Sequence, residues 1–417
     1  MKDTINLLRI DQQRLWDRLM AMAEIGGTPK GGVCRVALTD EDKAGRDCFI
    51  RWCEAAGCQV EIDQLGNIFA RRPGLDNSRP PVLIGSHLDS QPTGGKYDGA
   101  YGVLAALEVV ETLNDHSILT ECPIELVSWT NEEGARFAPA MVASGVFAGA
   151  FSLEYAYSRV DKDGKSLGEE LGRIGYKGSA TVGNRPYTAT LELHIEQGPI
   201  LEMEGKSVGV VTGVQGIRWY DLVLTGRETH AGPSPMSYRA DPVKAAIPIL
   251  EQIYALAEQH GPQARATIGY LDASPGVKNT VPGTLTISVD LRHPDTEILS
   301  AMDMLLKGMV AGAKGKSKVD FDLREIWYSP PVAFAPRCIQ AVQKALDLLD
   351  IPAMEMVSGA GHDSVYISRV APTSMIFIPC KDGLSHNELE SIAPQDAFNG
   401  ANVLLHATLE LAGIPAV

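Results

Sequence analysis

The feature that most constrains this fold is a series of short apolar segments, each ending in polar residues, that alternate with helical patterns. The segments at 81–87, 123–133 and 188–198 have the length and composition of buried strands, and 99–115 has the periodicity of a helix. Strands that alternate with helices favour an α/β architecture. Ligands of such folds bind beyond the carboxyl ends of the strands. We therefore expect a functional site where these segments end.

The middle of the chain has a different pattern, which predicts a second domain. Between about residues 213 and 327 the order is strand, helix, two strands and helix, as in a compact α+β domain. The α/β pattern returns after the SPPVAFAP segment at 329–336. We predict a catalytic domain formed by residues 1–212 and 328–417, interrupted by an inserted domain at 213–327.

Local signals near the N-terminus predict three further elements. Thr39-Asp40 can cap a helix and Gly57 can end it, so a helix is expected over 40–56. The segment 59–72 is typical of a hairpin. Residues 1–19 alternate charged residues with Leu and Ile, which indicates an amphipathic surface helix and not a signal peptide.

The charge and cysteine content narrow the class of protein. The chain has 37 Lys and Arg and 52 Asp and Glu. The resulting net charge of −15 disfavours nucleic acid and anionic membranes as partners. No apolar run reaches the roughly 18–20 residues of a membrane helix. Seven cysteines, an odd number, argue against a secreted disulfide framework, and Cys48, Cys53 and Cys58 are spaced too far apart for a CxxC zinc site. We expect a cytoplasmic protein with free thiols.

Histidines and carboxylates follow the predicted strands, and this composition is typical of a metal site. Nitrogen and oxygen ligands without cysteine exclude a structural thiolate zinc site. A carboxylate can bridge two cations, and two cations can activate a water molecule. Asp89 is expected to accept the second imidazole N–H of the nearby histidine. The candidate residues are His87, Asp89, Asp98, Glu132, Glu133, His194 and His386.

Each of these residues also has an ordinary interpretation. A lone histidine at a strand end is commonly a surface residue, and the Glu132-Glu133 pair could lie in solvent. Asp98 could cap the helix that follows it. Histidines or carboxylates occur in four separate segments, each at a predicted strand end, and this combination favours the metal site over these alternatives.

Long motifs in a fixed order carry a family resemblance. They resemble the dinuclear metal amidohydrolases related to aminopeptidases, from about residue 10 to the C-terminus. The branch most similar contains the N-carbamoyl-L-amino-acid hydrolases and β-ureidopropionase, with allantoate amidohydrolase as a near relative. The resemblance implies an aminopeptidase-like catalytic domain with two metal ions and an inserted lid and dimerisation domain. The motifs are GSHLDSQPTGGKYDG, WTNEEGARFAPAMVASGVFAG, LELHIEQG, GRETHAG, NTVPG, DLRHP, SGAGHDS and LSHNE.

The resemblance assigns a role to each residue at the predicted metal site. His87 and His194 would hold one ion, Glu133 and His386 the other, and Asp98 would bridge them. Glu132 would be the general base. Adjacent residues of a strand point to opposite faces, so a turn is expected to bring both glutamates to the site.

The resemblance also assigns substrate contacts. His230 and Asn279 would donate hydrogen bonds to the developing oxyanion, and His230 would act on the active site of the partner subunit in a homodimer. Arg292 would bind the substrate carboxylate, which suits its planar fork. Gln197 and the main chain of Gly361 would add contacts.

Ordinary alternatives stay open for these substrate contacts, namely a surface arginine, a turn at Asn279 and a loop histidine. His362, beside Gly361, is left without a firm role. The histidines that match no motif are expected to be structural or on the surface, and they are His116, His260, His293 and His406.

The expected reaction is removal of the carbamoyl group from an N-carbamoyl amino acid, giving the amino acid, CO2 and NH3. Allantoate hydrolysis is the nearest alternative, followed by peptidase or aminoacylase activity, and a metal-free binding protein is the alternative of another class. Zn, Mn, Co and Ni all suit such ligands, and α- and β-amino-acid substrates both stay open. Phosphate-loop chemistry is excluded because each Gly-Lys-Ser lacks its earlier glycine, and no G-x-S-x-G elbow is present.

Overall fold

A computed structural model of the chain describes residues 5–415. These residues divide into two compact units. The first unit contains the chain up to Thr212 together with the chain from Phe334 onward, and the second unit is Gly213–Ala333.

Helices and strands follow one another along both units of the described chain. The helices are α1 (Gln12–Glu24), α2 (Asp40–Ala55), α3 (Ala100–Asp115), α4 (Val142–Phe147), α5 (Leu153–Tyr157), α6 (Leu167–Ile174), α7 (Ile200–Met203), α8 (Pro242–Gln259), α9 (Thr296–Ala313), α10 (Pro336–Leu349), α11 (Ser364–Ile367) and α12 (Pro394–Ala412). The strands are β1 (Gln59–Ile62), β2 (Ile68–Arg72), β3 (Val82–His87), β4 (Ile124–Trp129), β5 (Ala189–Ile195), β6 (Val208–Val214), β7 (Gly216–Thr225), β8 (Thr229–His230), β9 (Arg265–Thr267), β10 (Leu271–Ser274), β11 (Thr280–Val281), β12 (Thr284–His293), β13 (Asp320–Ser329), β14 (Val332–Ala333), β15 (Ala353–Ser358) and β16 (Thr373–Ile378).

The sheet of the first unit brings several strand ends to one edge. Its order is β1-β2-β4-β3-β5-β16-β6, with β15 also paired to β6. The central strands β4, β3, β5 and β16 are parallel, whereas β2 and β6 run antiparallel to their neighbours. The carboxyl ends of four strands therefore meet at the same edge. The predicted α/β architecture is confirmed.

Both faces of this sheet are buried, which explains why its strands are apolar runs without alternation. Successive side chains point to opposite faces. Val82 and Ile84 of β3 belong to the larger core, which also contains α3, whereas Leu83 between them packs in a smaller cluster with Phe69 and Trp129. The result is a three-layer arrangement of helix, sheet and helix.

Helix α3 is buried along nearly its whole length and lies close to β5. A Cβ on Gly102 would lie 2.2 Å from the main-chain oxygen of Leu193, so only glycine allows this approach. Because α3 directly follows the loop after β3, the packing of α3 against the sheet also positions that loop.

Replacing Leu104 by alanine tests the importance of this buried helix. Leu104 is fully buried in α3, and we expect its truncation to lower the free energy of unfolding by about 2–5 kcal/mol through lost burial and a residual cavity. Leu119→Ala is the matched control, because this leucine is 48% exposed, and its effect is expected within about 0.5 kcal/mol. Chemical denaturation followed by circular dichroism measures both, and equal effects would contradict the prediction.

The second unit contains a sheet of order β10-β12-β7-β13, with β9 paired to β12. Helices α8 and α9 pack on one face of this sheet, where Leu222, Leu224 and Ile287 are buried. The sequence pattern missed β13, which pairs with β7 along its length. The alternation of polar and apolar residues at 320–324 does not continue through the exposed residues 325–327, so the strand signal of β13 is weak. Because β13 ends at Ser329, the second unit extends beyond residue 327.

The local predictions near the N-terminus are mostly confirmed. Helix α2 is capped by the Thr39 side chain, which accepts the N–H of Asp42, and β1 pairs with β2 as a hairpin. The predicted continuous helix over residues 1–19 is wrong in extent, because α1 begins only at Gln12, after the N-cap Asp11. Residues 1–4 lie outside the described part of the chain.

The cysteine and membrane predictions can also be compared with the structure. All seven cysteines are free thiols. Within residues 5–415, no helix combines the length and the apolar character that crossing a membrane requires.

Candidate metal centre

A sharp turn after β4 brings two adjacent glutamates to the edge where the central strands end. The strand stops at Trp129, and Asn131 takes a left-handed conformation with φ of +57°. The Asp89 carboxylate fixes this turn by accepting the N–H groups of Glu132 at 3.2 Å and Glu133 at 3.3 Å. Glu132 is only 6% exposed, so the alternative of a solvated glutamate pair is wrong.

Two buried histidines turn their Nε2 atoms toward the same carboxylate oxygen. Nδ1 of His87 lies 2.9 Å from the main-chain oxygen of Asp89, and Nδ1 of His194 lies 2.9 Å from that of Ile195. These contacts place a hydrogen on Nδ1, so Nε2 is the nitrogen that a metal ion can bind once it is deprotonated. Asp98 Oδ1 lies 3.7 Å from His87 Nε2 and 3.1 Å from His194 Nε2.

The role expected for Asp89 is corrected in one respect. Its main-chain oxygen, and not its carboxylate, is the acceptor for the imidazole of His87. The carboxylate instead orients the glutamate turn. Asp89 thus orients His87 through its main-chain oxygen and the two glutamates through its carboxylate.

The other oxygen of Asp98 faces a second set of ligands. Asp98 Oδ2 lies 3.4 Å from Nε2 of His386, and that nitrogen lies 3.3 Å from Glu133 Oε2. Two of the three groups of candidate ligand atoms share Asp98, namely His87–Asp98–His194 and Asp98–Glu133–His386, and within each group the atoms lie within 4.8 Å of one another. Asp98 belongs to both groups, as a bridging carboxylate would.

The structure excludes the alternative that Asp98 merely caps α3. The N-cap of α3 is Gly99, and no side chain caps the helix. A Cβ on Gly99 would lie 2.3–2.4 Å from the ring of His87, and its φ of +65° also favours glycine. The Gly99 N–H donates to His194 Nε2 at 3.2 Å. This glycine lets the chain turn around the two imidazoles.

The cluster carries strongly shifted pKa values. Burial raises the pKa of Asp98, but its hydrogen bonds with His194 and His386 outweigh burial and hold that pKa well below its usual range. Burial lowers the pKa of His194, and the hydrogen bond and charge of Asp98 overcome this and raise it to about 9. Burial and the charge of Asp98 raise the pKa of Glu133 to about 8. Burial, followed by the charges of Asp363 and Glu133, raises the pKa of Glu132 well above its usual value.

This donor set fits divalent metal ions. Buried carboxylates at such short range repel one another, and a divalent cation would relieve this repulsion. The two imidazoles that donate their Nδ1–H groups to main-chain oxygens present Nε2 lone pairs, as metal-bound histidines commonly do. Zn, Mn, Co and Ni accept such nitrogen and oxygen ligands. The identity and number of the ions stay predictions.

Two of the predicted substrate contacts lie beside this cluster. Gln197 has a φ of +60°, and its Nε2 donates to Asp98 Oδ2 at 3.0 Å, whereas its Oε1 is buried without a partner among the described residues. Gly361 contacts Met141, since a Cβ there would lie 2.9 Å from the methionine Cε. The N–H of Met141 donates to the main-chain oxygen of Glu132 at 2.7 Å.

The remaining predicted substrate contacts lie in the second unit. Strands β8 and β11 pair His230 with Thr280, and the N–H of Ala231 donates to the Asn279 oxygen at 2.8 Å, so His230 and Asn279 are neighbours. Arg292 lies on β12, and its Nη2 donates to Asp290 Oδ2 at 2.8 Å. Their roles toward a substrate stay predictions.

Sequence reasoning missed several polar residues around the cluster. Glu192 lies two positions before His194 on β5, on the same face, and accepts the hydroxyls of Ser86 and Ser364 at 2.8 and 2.6 Å. Strand periodicity could have identified it. His362, left without a firm role, packs edge-on against His194 with ring centroids 4.5 Å apart, and Glu192, His194 and His362 form the third candidate ligand group. Among the described residues, the candidate ligand groups contain none of His116, His260, His293 and His406.

Gln91 and Glu390 were missed as well. Gln91 donates to Glu133 Oε2 at 2.7 Å, and Glu390 accepts the N–H of Asp98 at 3.1 Å. No local signal identifies these two residues, because each contact joins segments far apart in sequence.

An α/β unit with a cluster of histidines and carboxylates at the carboxyl ends of its strands is the architecture of a metallohydrolase. A sequence model of the family described as peptidase family M20/M25/M40 matches residues 83–410, and the chain belongs to this family. The predicted relationship to metallopeptidase-like amidohydrolases is therefore confirmed.

Individual relatives agree with this assignment over nearly the whole chain. An "N-carbamoyl-L-amino-acid amidohydrolase" of Rhizobium meliloti is 48% identical over 406 residues, covering 97% of this chain and 98% of the relative. A crystal structure titled as an amidase of the hydantoinase/carbamoylase family, from Burkholderia multivorans, has a TM-score of 0.95 and 54% identity, covering 98% and 100% of the two chains. An "allantoate amidohydrolase" of Bacillus subtilis is 32% identical, covering 95% of this chain and 97% of the relative.

Proposed function

We propose that this protein is a metal-dependent amidohydrolase that removes the carbamoyl group from N-carbamoyl amino acids. The observation that carries the proposal is the position of Asp98, whose two oxygens face different ligand groups, with Glu132 beside them. The names of the similar relatives supply the substrate class. The proposed products are the free amino acid, CO2 and ammonia.

The proposed ligands are His87, Asp98, Glu133, His194 and His386. Two divalent ions bound there would supply Lewis-acid activation of a water molecule and of the substrate carbonyl. The first donor set has two nitrogens and the second has one, while Asp98 contributes an oxygen to each. The protein's part is to present these lone pairs at one site, where His386 is the exposed ligand.

Glu132 is the proposed general base and then the general acid. Its Oε2 lies 3.5 Å from His87 Nε2, so its carboxylate reaches the cluster, while Asp89 anchors its N–H. Glu132 removes a proton from the attacking water and later delivers that proton to the leaving amine nitrogen. Water oxygen joins the ureido carbon as the bond to the amine breaks. The released carbamate then decomposes to CO2 and ammonia.

The second unit is proposed to supply oxyanion donors and to form a homodimer. The imidazole of His230 and the amide of Asn279 are the donors, and His230 serves the active site of the partner subunit. Support for a subunit interface comes from exposed apolar side chains at positions i, i+4 and i+11 of α8, which share one helix face, since exposed apolar patches mark association sites. They are Val243, Ile247 and Tyr254.

Cytoplasmic localisation is also part of the proposal. Seven free thiols suit a reducing compartment, since secreted proteins commonly pair their cysteines.

Arg292→Ala is expected to raise KM for carbamoyl amino acids by about 10- to 100-fold with a much smaller change in kcat. The reason is the loss of a charge-assisted contact to the substrate carboxylate, worth about 1.5–3 kcal/mol. Arg324→Ala is the matched control, because Arg324 is 66% exposed on β13 of the same sheet and pairs with Asp322. Steady-state kinetics measures both. An unchanged KM in Arg292→Ala would mean that the carboxylate binds elsewhere.

The proposed function is tested by ammonia release from the chelator-treated protein after separate addition of Zn²⁺, Mn²⁺, Co²⁺ or Ni²⁺. N-carbamoyl-L-amino acids, N-carbamoyl-β-alanine and allantoate are offered side by side. We expect metal-dependent release from an N-carbamoyl amino acid. Release from allantoate alone would favour the function named for the Bacillus subtilis relative. Folded protein that is silent with every metal and substrate would overturn the proposal.

A further inference from the structure

Glu390 is a buried carboxylate beside the metal cluster but outside all three candidate ligand groups. It is 5% exposed. Its Oε1 accepts two consecutive main-chain N–H groups, from Tyr97 at 3.0 Å and from Asp98 at 3.1 Å. Glu390 thus holds the main chain of Asp98, the residue whose side chain is shared by two ligand groups.

The second oxygen of Glu390 extends the contact to the Asp98 side chain. The Ser385 hydroxyl lies 3.1 Å from Glu390 Oε2 and 3.1 Å from Asp98 Oδ2. Gln197 Nε2 donates to the same hydroxyl at 3.2 Å and to Asp98 Oδ2 at 3.0 Å. Glu390 therefore fixes Asp98 directly at its main chain and through Ser385 at its carboxylate.

The loop of Asp98 is shaped to receive this carboxylate. A Cβ on Gly95 would lie 2.0–2.4 Å from the carboxylate atoms of Glu390, so glycine is required there. Among the described residues, no lysine or arginine forms an ion pair with Glu390. Its partners are the N–H and hydroxyl groups of the site, so an ion-pair role does not explain this buried acid.

Glu390 also connects this loop to the one that carries His386. His386 has a left-handed conformation with φ of +53°, which is strained for a residue other than glycine and persists only when surrounding contacts hold it. The Glu390 carboxylate lies 3.1 Å from the Ser385 hydroxyl, just before His386, and the Glu390 N–H donates to the Asn387 oxygen at 3.0 Å, just after it. One side chain therefore links the two loops that supply the second ligand group.

We propose that Glu390 is a positioning residue of the metal centre, which holds Asp98 and the loop of His386 at ligand distance before an ion binds. The proposal rests on the function proposed above, because it takes Asp98 as the bridging ligand. Glu390 contributes hydrogen-bond acceptors at fixed positions, and contact with an ion is not part of its role.

The test is titration of chelator-treated full-length protein with Co²⁺ alone, followed by visible absorption and by competition with a chelator of known affinity. For Glu390→Ala we expect metal affinity to fall by roughly 10- to 100-fold, as for other residues that orient metal ligands. Glu390→Gln should stay within about threefold of wild type. Its amide oxygen can accept both N–H groups, and its amide nitrogen can donate to Ser385, leaving the serine hydrogen for Asp98.

Glu388→Ala is the matched control, because Glu388 lies on the same loop but its carboxylate accepts the Thr28 hydroxyl at 2.6 Å and does not touch Asp98. We expect its Co²⁺ affinity to stay within about threefold of wild type. If Glu390→Ala does not fold, as judged by circular dichroism, Ser385→Ala replaces it and is expected to bind Co²⁺ about tenfold more weakly.

The outcomes separate this proposal from the proposed function. Wild-type protein that binds no Co²⁺ would contradict the metal-dependent function itself. The role of Glu390 alone would be overturned if wild-type protein binds Co²⁺ and Glu390→Ala binds it with unchanged affinity. The same holds for Ser385→Ala where it replaces that variant. Equal losses in Glu390→Ala and Glu390→Gln, or in Glu390→Ala and Glu388→Ala, would overturn that role as well. Equal losses in the two Glu390 variants would show that metal binding needs the negative charge of Glu390. Equal losses in Glu390→Ala and Glu388→Ala would show that any loosening of the loop weakens metal binding.

Discussion

Glu132→Gln is expected to lower kcat by about 10²- to 10⁴-fold while the protein keeps its bound metal. Glutamine has the same shape and keeps the N–H contact to Asp89, but it cannot take a proton from the attacking water. Glu132 is also outside both candidate ligand groups, so metal affinity should change little. Single-turnover kinetics of the metal-loaded variant, with metal content from elemental analysis, gives both quantities.

The adjacent glutamate is the matched comparison for this experiment. Glu133 belongs to the ligand group of Asp98 and His386, so Glu133→Gln should weaken metal binding, and excess metal should restore part of its activity. Excess metal should restore nothing in Glu132→Gln. The reverse pattern would exchange the roles of the two glutamates, and near-normal turnover of Glu132→Gln would remove it as the base.

The sequence predicts the central strands and the cluster because the information is local. Strands buried on both faces are uninterrupted apolar runs, so β3, β4 and β5 are recognisable one by one. The polar residues that follow them then meet at one edge, since the strands are parallel. That geometry brings His87, Glu133 and His194 together without any knowledge of the pairing order.

The missed features depend on contacts between distant segments or on weak local patterns. Glu390 and Asp98 are 292 positions apart, and a buried glutamate in a loop has no periodicity that predicts its partner. The edge strand β13 is mostly exposed, and its alternation of polar and apolar residues stops after residue 324. The acceptor atom on Asp89 depends on loop geometry, because main-chain and side-chain oxygens lie equally near in sequence.

Asp98→Asn is expected to abolish the paired metal site and to lower activity by roughly 10³-fold or more, because Lewis-acid stabilisation is worth several kcal/mol. The amide keeps the size of the side chain but replaces one anionic oxygen by a nitrogen with no lone pair for a metal, so it cannot serve both ligand groups. Elemental analysis should show fewer bound ions per subunit than in the wild type. Glu125→Gln is the matched control, because this buried carboxylate on β4 contacts Tyr187 at 2.8 Å and belongs to neither ligand group, so its metal content should be unchanged. A full metal complement in Asp98→Asn would mean that Asp98 does not bridge the two ions.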